Sequence, residues 1–333
     1  MGSVRAIVPD TIKDEQIFQP LETALARYPK ERTELIIGAA TATDFAAKTV
    51  TVQPAGAGAA PRTLPYDELV LATGARAASP DVPWKAAEGY DEVRAQLQRT
   101  RERVAAARHI VVAGAGATGV EVAAELGFAY GAGADRKEVV LLSATDEILD
   151  GDVLAGSARG ELAKLHVSVR TGARVAGATV RADGKTELAL DGGETLVTDL
   201  YLPTFGLTPN TEYLDAAYLD GRKNVAVDEF HRVKGAEHVW AAGDIISVPR
   251  AGFMITRAHA GGVGKNVGLA LLDKPPVPVK GPAVDMVVVA TGRSRGVGRI
   301  GASFRMLSIM AWMGKGRTLA IQMLPGYIDG SVA

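Results

Sequence analysis

The chain has 333 residues, of which 47% are hydrophobic and 23% are charged; its formal net charge is −1 and it contains no cysteine. The length suits about two domains of an ordinary globular protein. Balanced charge gives no reason to expect a nucleic-acid partner, and the lack of cysteine excludes disulfides and thiolate chemistry. We see no apolar run of the roughly 20 residues that a membrane helix needs, no signal peptide and no myristoylation pattern, so we expect a cytoplasmic protein without a membrane span.

Short β-branched runs alternate with helical stretches, which is typical of an α/β architecture with parallel strands. The predicted strands are, in chain order, "ELIIG", "TVTVQ", "ELVLATG", "HIVVAG", "EVVLLS", "HVSVR", "LYLPTFG", "HVWAAGD" and "MVVVATG". A charged segment, 90–108, is predicted to be a helix. The Pro-rich segment 271–282 is predicted to link this part of the chain to a C-terminal piece.

The strongest motif is Gly114-Ala-Gly116-Ala-Thr-Gly119, which follows the strand "HIVVAG" and opens a helix. A second strand, "EVVLL", completes the βαβ unit of about 30 residues that a dinucleotide-binding fingerprint requires. The first glycine makes the tight turn, the second admits the pyrophosphate, and the third lets helix and strand pack closely. The helix N-terminus then offers free N–H groups to the phosphates. We therefore predict an NAD(P)H site here, with Thr118 and Glu121 as further candidate contacts.

The end of the second strand usually decides the choice of coenzyme, because an acid there binds the ribose hydroxyls of NAD. This chain has Ser143 at that position. A serine neither repels a 2′-phosphate nor grips it. We expect NADH and NADPH affinities within about tenfold of each other, which is ~1.4 kcal/mol.

Two weaker motifs occur near the C-terminus. Gly296-Val-Gly298-Arg-Ile-Gly301 also has the GxGxxG spacing, but too little chain follows it for another βαβ unit. The GxSxG pattern at 292–296 lacks an assignable His–acid pair. Both are predicted to be turns in a basic loop. The five histidines lack ligand spacing, so we predict no metal site, and we assign no catalytic side chain.

Three segments in order, "LVLATGA" (69–75), "VVAGAGATGVEVAAELG" (111–127) and "HVWAAGDI" (238–245), resemble the flavoproteins with two dinucleotide-binding domains. Among these, the chain looks most like the apoptosis-inducing-factor-like and ferroptosis-suppressor-like NAD(P)H oxidoreductases, which work without a redox disulfide. The resemblance covers nearly the whole chain from about Arg5.

The resemblance implies an α/β fold in which a Rossmann-like NAD(P)H-binding domain (106–223) is inserted into an FAD domain (1–105 and 224–275), with a C-terminal α+β segment (276–333). It also implies which residues hold FAD. Gly74 would lie at the crossover near the flavin, and Gly243 and Asp244 would receive the ribityl-phosphate part. A helix beginning near His259 would point its N-terminus at the flavin ring. Gly206 falls where the family's chain returns from the NAD(P)H domain.

The chain departs from the family at its start, which resembles the segment after the family's first strand–GxGxxG–helix–strand unit. That unit binds the ADP half of FAD. We therefore expect the 333-residue chain to bind FAD poorly. A sheet edge left without its neighbouring strand would also favour association, so a homo-oligomer is a further expectation.

The resemblance implies a flavin-dependent NAD(P)H oxidoreductase with a small-molecule, quinone-like acceptor. Two alternatives stay open. One is a flavin-free descendant that uses the vacated cleft for non-redox chemistry such as isomerisation or cyclisation. The other is a non-catalytic NAD(P)H-binding protein.

A last pattern lies in "FRMLSIMAWMGKG" (304–316), where Met306, Met310 and Met313 recur at helical spacing beside Trp312. Thioethers suit a flat apolar ligand or a partner surface. Core packing of the C-terminal piece is the favoured interpretation.

Overall fold

The structure is a computed structural model that describes residues 2–86, 89–246 and 248–331. Within these residues the strands are β1 (Gly38–Asp44), β2 (Thr49–Pro54), β3 (Arg62–Pro65), β4 (Leu69–Leu71), β5 (Ala75–Ala77), β6 (His109–Ala113), β7 (Glu138–Leu142), β8 (Val167–Arg170), β9 (Val175–Val180), β10 (Thr186–Leu190), β11 (Thr195–Thr198), β12 (Leu200–Pro203), β13 (Leu207–Pro209), β14 (Val239–Ala241), β15 (Met286–Ala290), β16 (Gly296–Ile300) and β17 (Phe304–Arg305). The α-helices are α1 (Ser3–Ala6), α2 (Asp14–Ile17), α3 (Leu21–Leu25), α4 (Tyr90–Ala106), α5 (Ala117–Tyr130), α6 (Ala155–Lys164), α7 (Phe253–Ala270), α8 (Ser308–Ala311) and α9 (Leu324–Ile328).

The chain divides into two compact units. The first comprises Met1–Gln19, Ala77–Gly206 and Val284–Ile328, and the second comprises Pro20–Arg76, Leu207–Ala283 and Asp329–Ala333. The predicted α/β class is confirmed, and the predicted domain limits stay a prediction, since compactness alone does not define which residues bind a ligand.

A parallel sheet in the order β12-β6-β7-β8 forms the centre of the first unit. Ile110, Val112 and Leu141 are fully buried, as expected for strands covered on both faces. The helix α5 returns the chain from β6 to β7, and nine consecutive residues of it (119–127) are buried. A separate antiparallel sheet, β11-β10-β9, follows β8 in the chain.

Both ends of the chain contribute to the core of the first unit. Ala6, the last residue of α1, and Ile7, which follows it, are completely buried. They belong to one apolar cluster with the C-terminal residues Val289 and Leu319. The C-terminal segment forms the antiparallel sheet β15-β16-β17 and then α8.

The second unit contains the antiparallel sheet β1-β2-β3 and the parallel pair β4-β14. Its core includes Leu71, Val239 and Ile245. The helix α7 lies next to this pair and buries Val263 against Trp240. The strand ends of β4 and β14 are level, because Leu71 pairs with Ala241.

Three predicted elements differ from the structure. "ELIIG" is not a strand, since β1 begins only at Gly38 and Ile37 is 59% exposed. The second GxGxxG pattern is not a turn, because it contains strand β16. The helix predicted to begin near His259 begins six residues earlier, at Phe253, and His259 lies inside it.

The remaining predicted strands are present with shifted ends. The helix predicted over 90–108 is α4, and the predicted linker contains neither helix nor strand beyond a turn at residues 271–273.

Candidate functional site

The glycine-rich loop that joins β6 to α5 has a geometry that only glycine permits at two positions. Gly114 has a φ of +103°, and a Cβ there would lie 2.9 Å from Thr204 Oγ1. A Cβ on Gly119 would lie 1.7 Å from the carbonyl oxygen of Gly114. Side chains are thus excluded where the loop turns and where it meets its own helix.

Gly116 differs from these two, because its Cβ position faces open space. It is the N-cap residue of α5, has an ordinary φ of −70°, and no side chain caps the helix. A Cβ there would meet no atom within 4 Å. The first N–H groups of a helix lack intrahelical acceptors and carry the positive end of its dipole. This donor set, with free space before it, fits the pyrophosphate of NAD(P)H. Thr118 is half-buried in the same first turn.

Of the residues that follow β12, Thr204 supports the loop from the side and Gly206 contacts Ala78. The hydroxyl of Thr204 donates to the carbonyl oxygens of Gly114 at 2.7 Å and Ala113 at 3.0 Å. Gly206 has a φ of +74°, and its carbonyl accepts a hydrogen bond from the Ala78 amide at 2.8 Å. Sequence reasoning missed Thr204, since 90 residues separate it from the loop that it holds.

The carboxylate of Glu121 lies inside the first unit. It accepts a hydrogen bond from the Ala290 amide at 3.0 Å and forms an ion pair with Lys315 at 2.6 Å. The side chain is 7% exposed. Its predicted contact with the coenzyme stays a prediction, and it would require the carboxylate to be shared with this ion pair.

Ser143 is buried at the end of β7, and its hydroxyl is already used. It donates to the carbonyl oxygen of Glu147 at 2.9 Å, to which Thr145 also donates at 2.8 Å. Exposed positions at this strand end are instead Ala144, Thr145 and Asp146. The expected tenfold range between NADH and NADPH stays a prediction, and the exposed Asp146 is a further candidate to contact the ribose.

In the second unit, the loops that follow β4 and β14 begin at the same sheet edge. Gly74 has a φ of +67° and no atom within 4 Å of its Cβ position. Asn210 fixes this loop: its amide nitrogen donates to the Thr73 carbonyl at 2.8 Å, and its backbone N–H donates to the Gly74 carbonyl at 3.0 Å. Asn210 was also missed by sequence reasoning, because only the folded chain brings residues 73 and 210 together.

The Gly243-Asp244 pair opens a single 3₁₀ turn directly after β14. Gly243 has a φ of +81°, and its Cβ position lies 3.3 Å from the side chain of Thr256. Thr256 is in the first turn of α7, so the N-terminus of that helix lies beside the pair. A carboxylate and a helix N-terminus at one strand end suit a ligand that carries both hydroxyls and negative charge.

A buried carboxylate holds β14 from its other end. Glu68, whose side chain is 6% exposed, contacts the His238 ring nitrogen Nδ1 at 2.6 Å. Its second oxygen accepts from the Trp240 indole N–H, also at 2.6 Å. These two bonds fix the side chains of the "HVWAAGD" segment, and the segment positions Asp244.

His259 and His231 form a buried pair in the second unit. Their rings are edge to face, with centroids 4.4 Å apart. Burial, with a smaller contribution from the neighbouring His231, lowers the pKa of His259 to about 4, although Asp244 acts in the opposite direction. Burial also lowers the pKa of His231. Both rings are therefore neutral at neutral pH.

We expect the stability of the protein to fall as the pH falls from about 6.5 towards 4. The unfolded chain binds the His259 proton near pH 6.5 and the folded chain only near pH 4, so acid favours unfolding, by roughly 3 kcal/mol for this group. Urea unfolding at several pH values measures it. His259→Gln should flatten the profile in this window. Equal slopes for His259→Gln and the unchanged protein would contradict the assignment.

The family model for pyridine nucleotide-disulphide oxidoreductases matches residues 4–262. The chain belongs to this family. The predicted resemblance is thereby confirmed, and the family uses FAD and NAD(P)H.

The oxidoreductase ptaL of Pestalotiopsis fici is 36% identical over 100% of the chain and 87% of its own length. The human ferroptosis suppressor protein 1 is 27% identical over 78% of the chain and 70% of its own length. Among solved structures, a FAD-dependent pyridine nucleotide-disulphide oxidoreductase from Desulfovibrio vulgaris is similar with a TM-score of 0.57. Its identity is 26% over 79% of the chain and 67% of the solved chain.

The described residues contain neither a candidate metal cluster nor a membrane-spanning helix. Within residues 2–86, 89–246 and 248–331, no cluster of three or more His, Asp or Glu side chains could hold a metal ion. None of the helices in that part of the chain is long and apolar enough to cross a membrane.

Proposed function

We propose that the protein is an NAD(P)H oxidoreductase that passes reducing equivalents through a flavin to a quinone-like small molecule. Family membership supports the general oxidoreductase activity. The observation that carries the nicotinamide part is the open helix N-terminus at Gly116. When bound, the coenzyme and the flavin would supply the hydride chemistry.

The residues of this chain contribute binding and orientation. The N-terminus of α5 binds the pyrophosphate, and Thr204 holds the loop that presents it. At neutral pH the buried histidine pair adds no charge near Asp244, and the N-terminus of α7 lies beside the Gly243-Asp244 pair. These fixed groups would orient a bound ligand without rearrangement.

The two ends of FAD fit the chain differently. Gly74, Gly243 and the N-terminus of α7 suit the flavin end, with open space at Gly74. For the ADP half a strand, a glycine-rich loop and a helix are needed. Residues 2–37 contain no strand; they form short helices, and Ala6 and Ile7 are buried in the first unit.

A flavin-free enzyme is the second candidate function. In this alternative the intact nicotinamide loop at Gly116 serves a reaction that needs no flavin. Non-redox chemistry such as isomerisation or cyclisation would then replace hydride transfer.

Flavin dependence separates the two functions. We expect the purified 333-residue chain to lose flavin absorbance on desalting, and to oxidise NADH or NADPH only when both FAD and a soluble quinone are added. Coenzyme oxidation followed by absorbance, with either component left out, is the measurement. Oxidation that is indifferent to FAD would contradict the proposal, and a chain that retains stoichiometric FAD would contradict the weak binding.

A further inference from the structure

We propose that the C-terminal segment of the first unit binds the surface of an anionic lipid membrane. Five large apolar side chains in ten residues face solvent. Their exposed fractions are 66% for Phe304, 69% for Leu307, 56% for Ile309, 45% for Met310 and 65% for Met313. We call these five residues the apolar patch.

The fold explains why these side chains point outward. Ile309, Met310 and Met313 are one, three or four residues apart along the continuous helical stretch formed by α8 and a π-helical turn (Trp312–Gly316), so they share a face. The other face is occupied. Ala311 is fully buried against β16, where a Cβ on Gly296 would lie 3.1 Å from it.

Neighbouring contacts fix this orientation. The Trp312 indole N–H donates to the Arg293 carbonyl at 2.7 Å, which anchors the inner face of the helical stretch. Met306 is the methionine that turns inward, since its sulfur lies 2.7 Å from the Cβ position of Gly298. The apolar patch is therefore not a loosely placed tail, and burying it again would require a rearrangement of this packing.

The charge of the segment selects an anionic partner. From Val284 to Ile328 the sequence has six Lys or Arg residues and one acid, Asp285, which pairs with Arg299, in a chain whose net charge is −1. Three of the six bases pair with acids elsewhere in the first unit. Arg305 and Arg317 are exposed, and neither forms an ion pair with another described residue.

A membrane fits these features better than a protein does. Specific protein interfaces carry about one hydrogen bond per 100–200 Å². Among the exposed residues from 304 to 313, Arg305 is the one with a polar side chain. A second copy of the chain would place the same basic side chains face to face. A lipid interface needs only apolar insertion and cations beside the phosphates.

Vesicle flotation of the full chain tests the proposal. We expect binding to vesicles of phosphatidylcholine with phosphatidylglycerol, weaker binding to phosphatidylcholine alone, and a loss of binding at high salt. Leu307→Ser with Met313→Ser should lower the partition coefficient about tenfold or more. Arg305→Gln with Arg317→Gln should lower it roughly fivefold for each arginine.

The matched control is Leu271→Ser with Leu272→Ser, since these leucines are 62% and 64% exposed on the second unit. This variant should bind vesicles normally, and all three variants should unfold at the same temperature as the unchanged protein. No binding, or an equal loss in the control, would overturn the proposal. A dimer that the patch variant disrupts would also overturn the proposal, because the patch would then bind a second copy of the chain. Binding to polyglutamate in preference to vesicles would overturn it as well, because the patch would then bind an acidic protein.

Discussion

Replacing Gly116 by valine should remove NAD(P)H binding while leaving the fold intact. The position has an ordinary φ of −70°, and a Cβ there meets no atom within 4 Å, so the folded chain tolerates a side chain. That side chain would fill the space in front of the α5 N-terminus, where the pyrophosphate has to approach the backbone. We expect a loss in affinity of about 100-fold or more, which is ~2.7 kcal/mol, measured by calorimetric titration with NADH and with NADPH.

A glycine in a similar setting provides the control. Gly160 lies in α6, also with no atom within 4 Å of its Cβ position, and Gly160→Val should leave coenzyme affinity unchanged. Gly119→Val is unsuitable, because its Cβ would lie 1.7 Å from Gly114 O and the loop itself would be displaced. Unchanged affinity in Gly116→Val, with a normal unfolding temperature, would exclude the loop as the nicotinamide site.

The nicotinamide loop could be predicted from the sequence because its signal is local. Each of the strands β6 and β7 is a continuous apolar run after its first residue, and the glycines between them stand at fixed offsets before a helix. Within about 30 residues, the pattern specifies strand, turn, helix and strand. The structure places all of them as predicted, with Gly114 in the left-handed region.

The supports of the sites could not be predicted, because they depend on contacts between distant residues. Thr204 is 90 residues from Gly114, and Asn210 is 137 residues from Thr73. A threonine or an asparagine after a strand has no pattern of its own. The start of α7 was predicted too late in the chain for a different reason. Its N-cap residue, Gly252, has no side chain that could cap the helix, so the sequence has no start signal there.

The helical spacing of the C-terminal methionines gave a wrong prediction of their packing. The spacing of Met306, Met310 and Met313 predicted one helical face, with core packing as the favoured interpretation. The structure starts α8 only at Ser308, turns Met306 towards Gly298 and exposes the other two methionines. The second GxGxxG pattern was also predicted wrongly, as a turn, although it contains β16. Its first two glycines, Gly296 and Gly298, lie on β16 and admit Ala311 and the Met306 sulfur, so they serve packing and not a phosphate.

The buried ion pairs of Glu125 join three parts of the first unit that are far apart in sequence. Its carboxylate is fully buried on α5 and accepts from Arg5 Nε at 2.7 Å and from Arg293 Nε at 3.3 Å. The Arg5 guanidinium also donates to the carbonyl oxygens of Gly316 at 2.7 Å and Arg317 at 2.9 Å. One arginine thus joins the N-terminal helix, α5 and the C-terminal segment.

Removing the charge of Glu125 should therefore be among the most damaging single changes. Glu125→Gln keeps the shape but leaves the Arg5 charge buried without its counter-ion, and we expect a loss of about 3 kcal/mol or more in the free energy of unfolding. Urea unfolding measures it.

Two further variants test whether the buried, unpaired charge causes the loss of stability in Glu125→Gln. Glu92→Gln removes an exposed ion pair with Arg99 on α4 and should cost less than about 1 kcal/mol. The double variant Arg5→Met with Glu125→Leu removes both charges and should recover only part of the stability. The Gly316 and Arg317 carbonyls then lack their donor, and each buried acceptor without a donor lowers the free energy of unfolding by about 1–3 kcal/mol. If Glu125→Gln proved no worse than Glu92→Gln, the buried pair would not be what holds the two chain ends to α5.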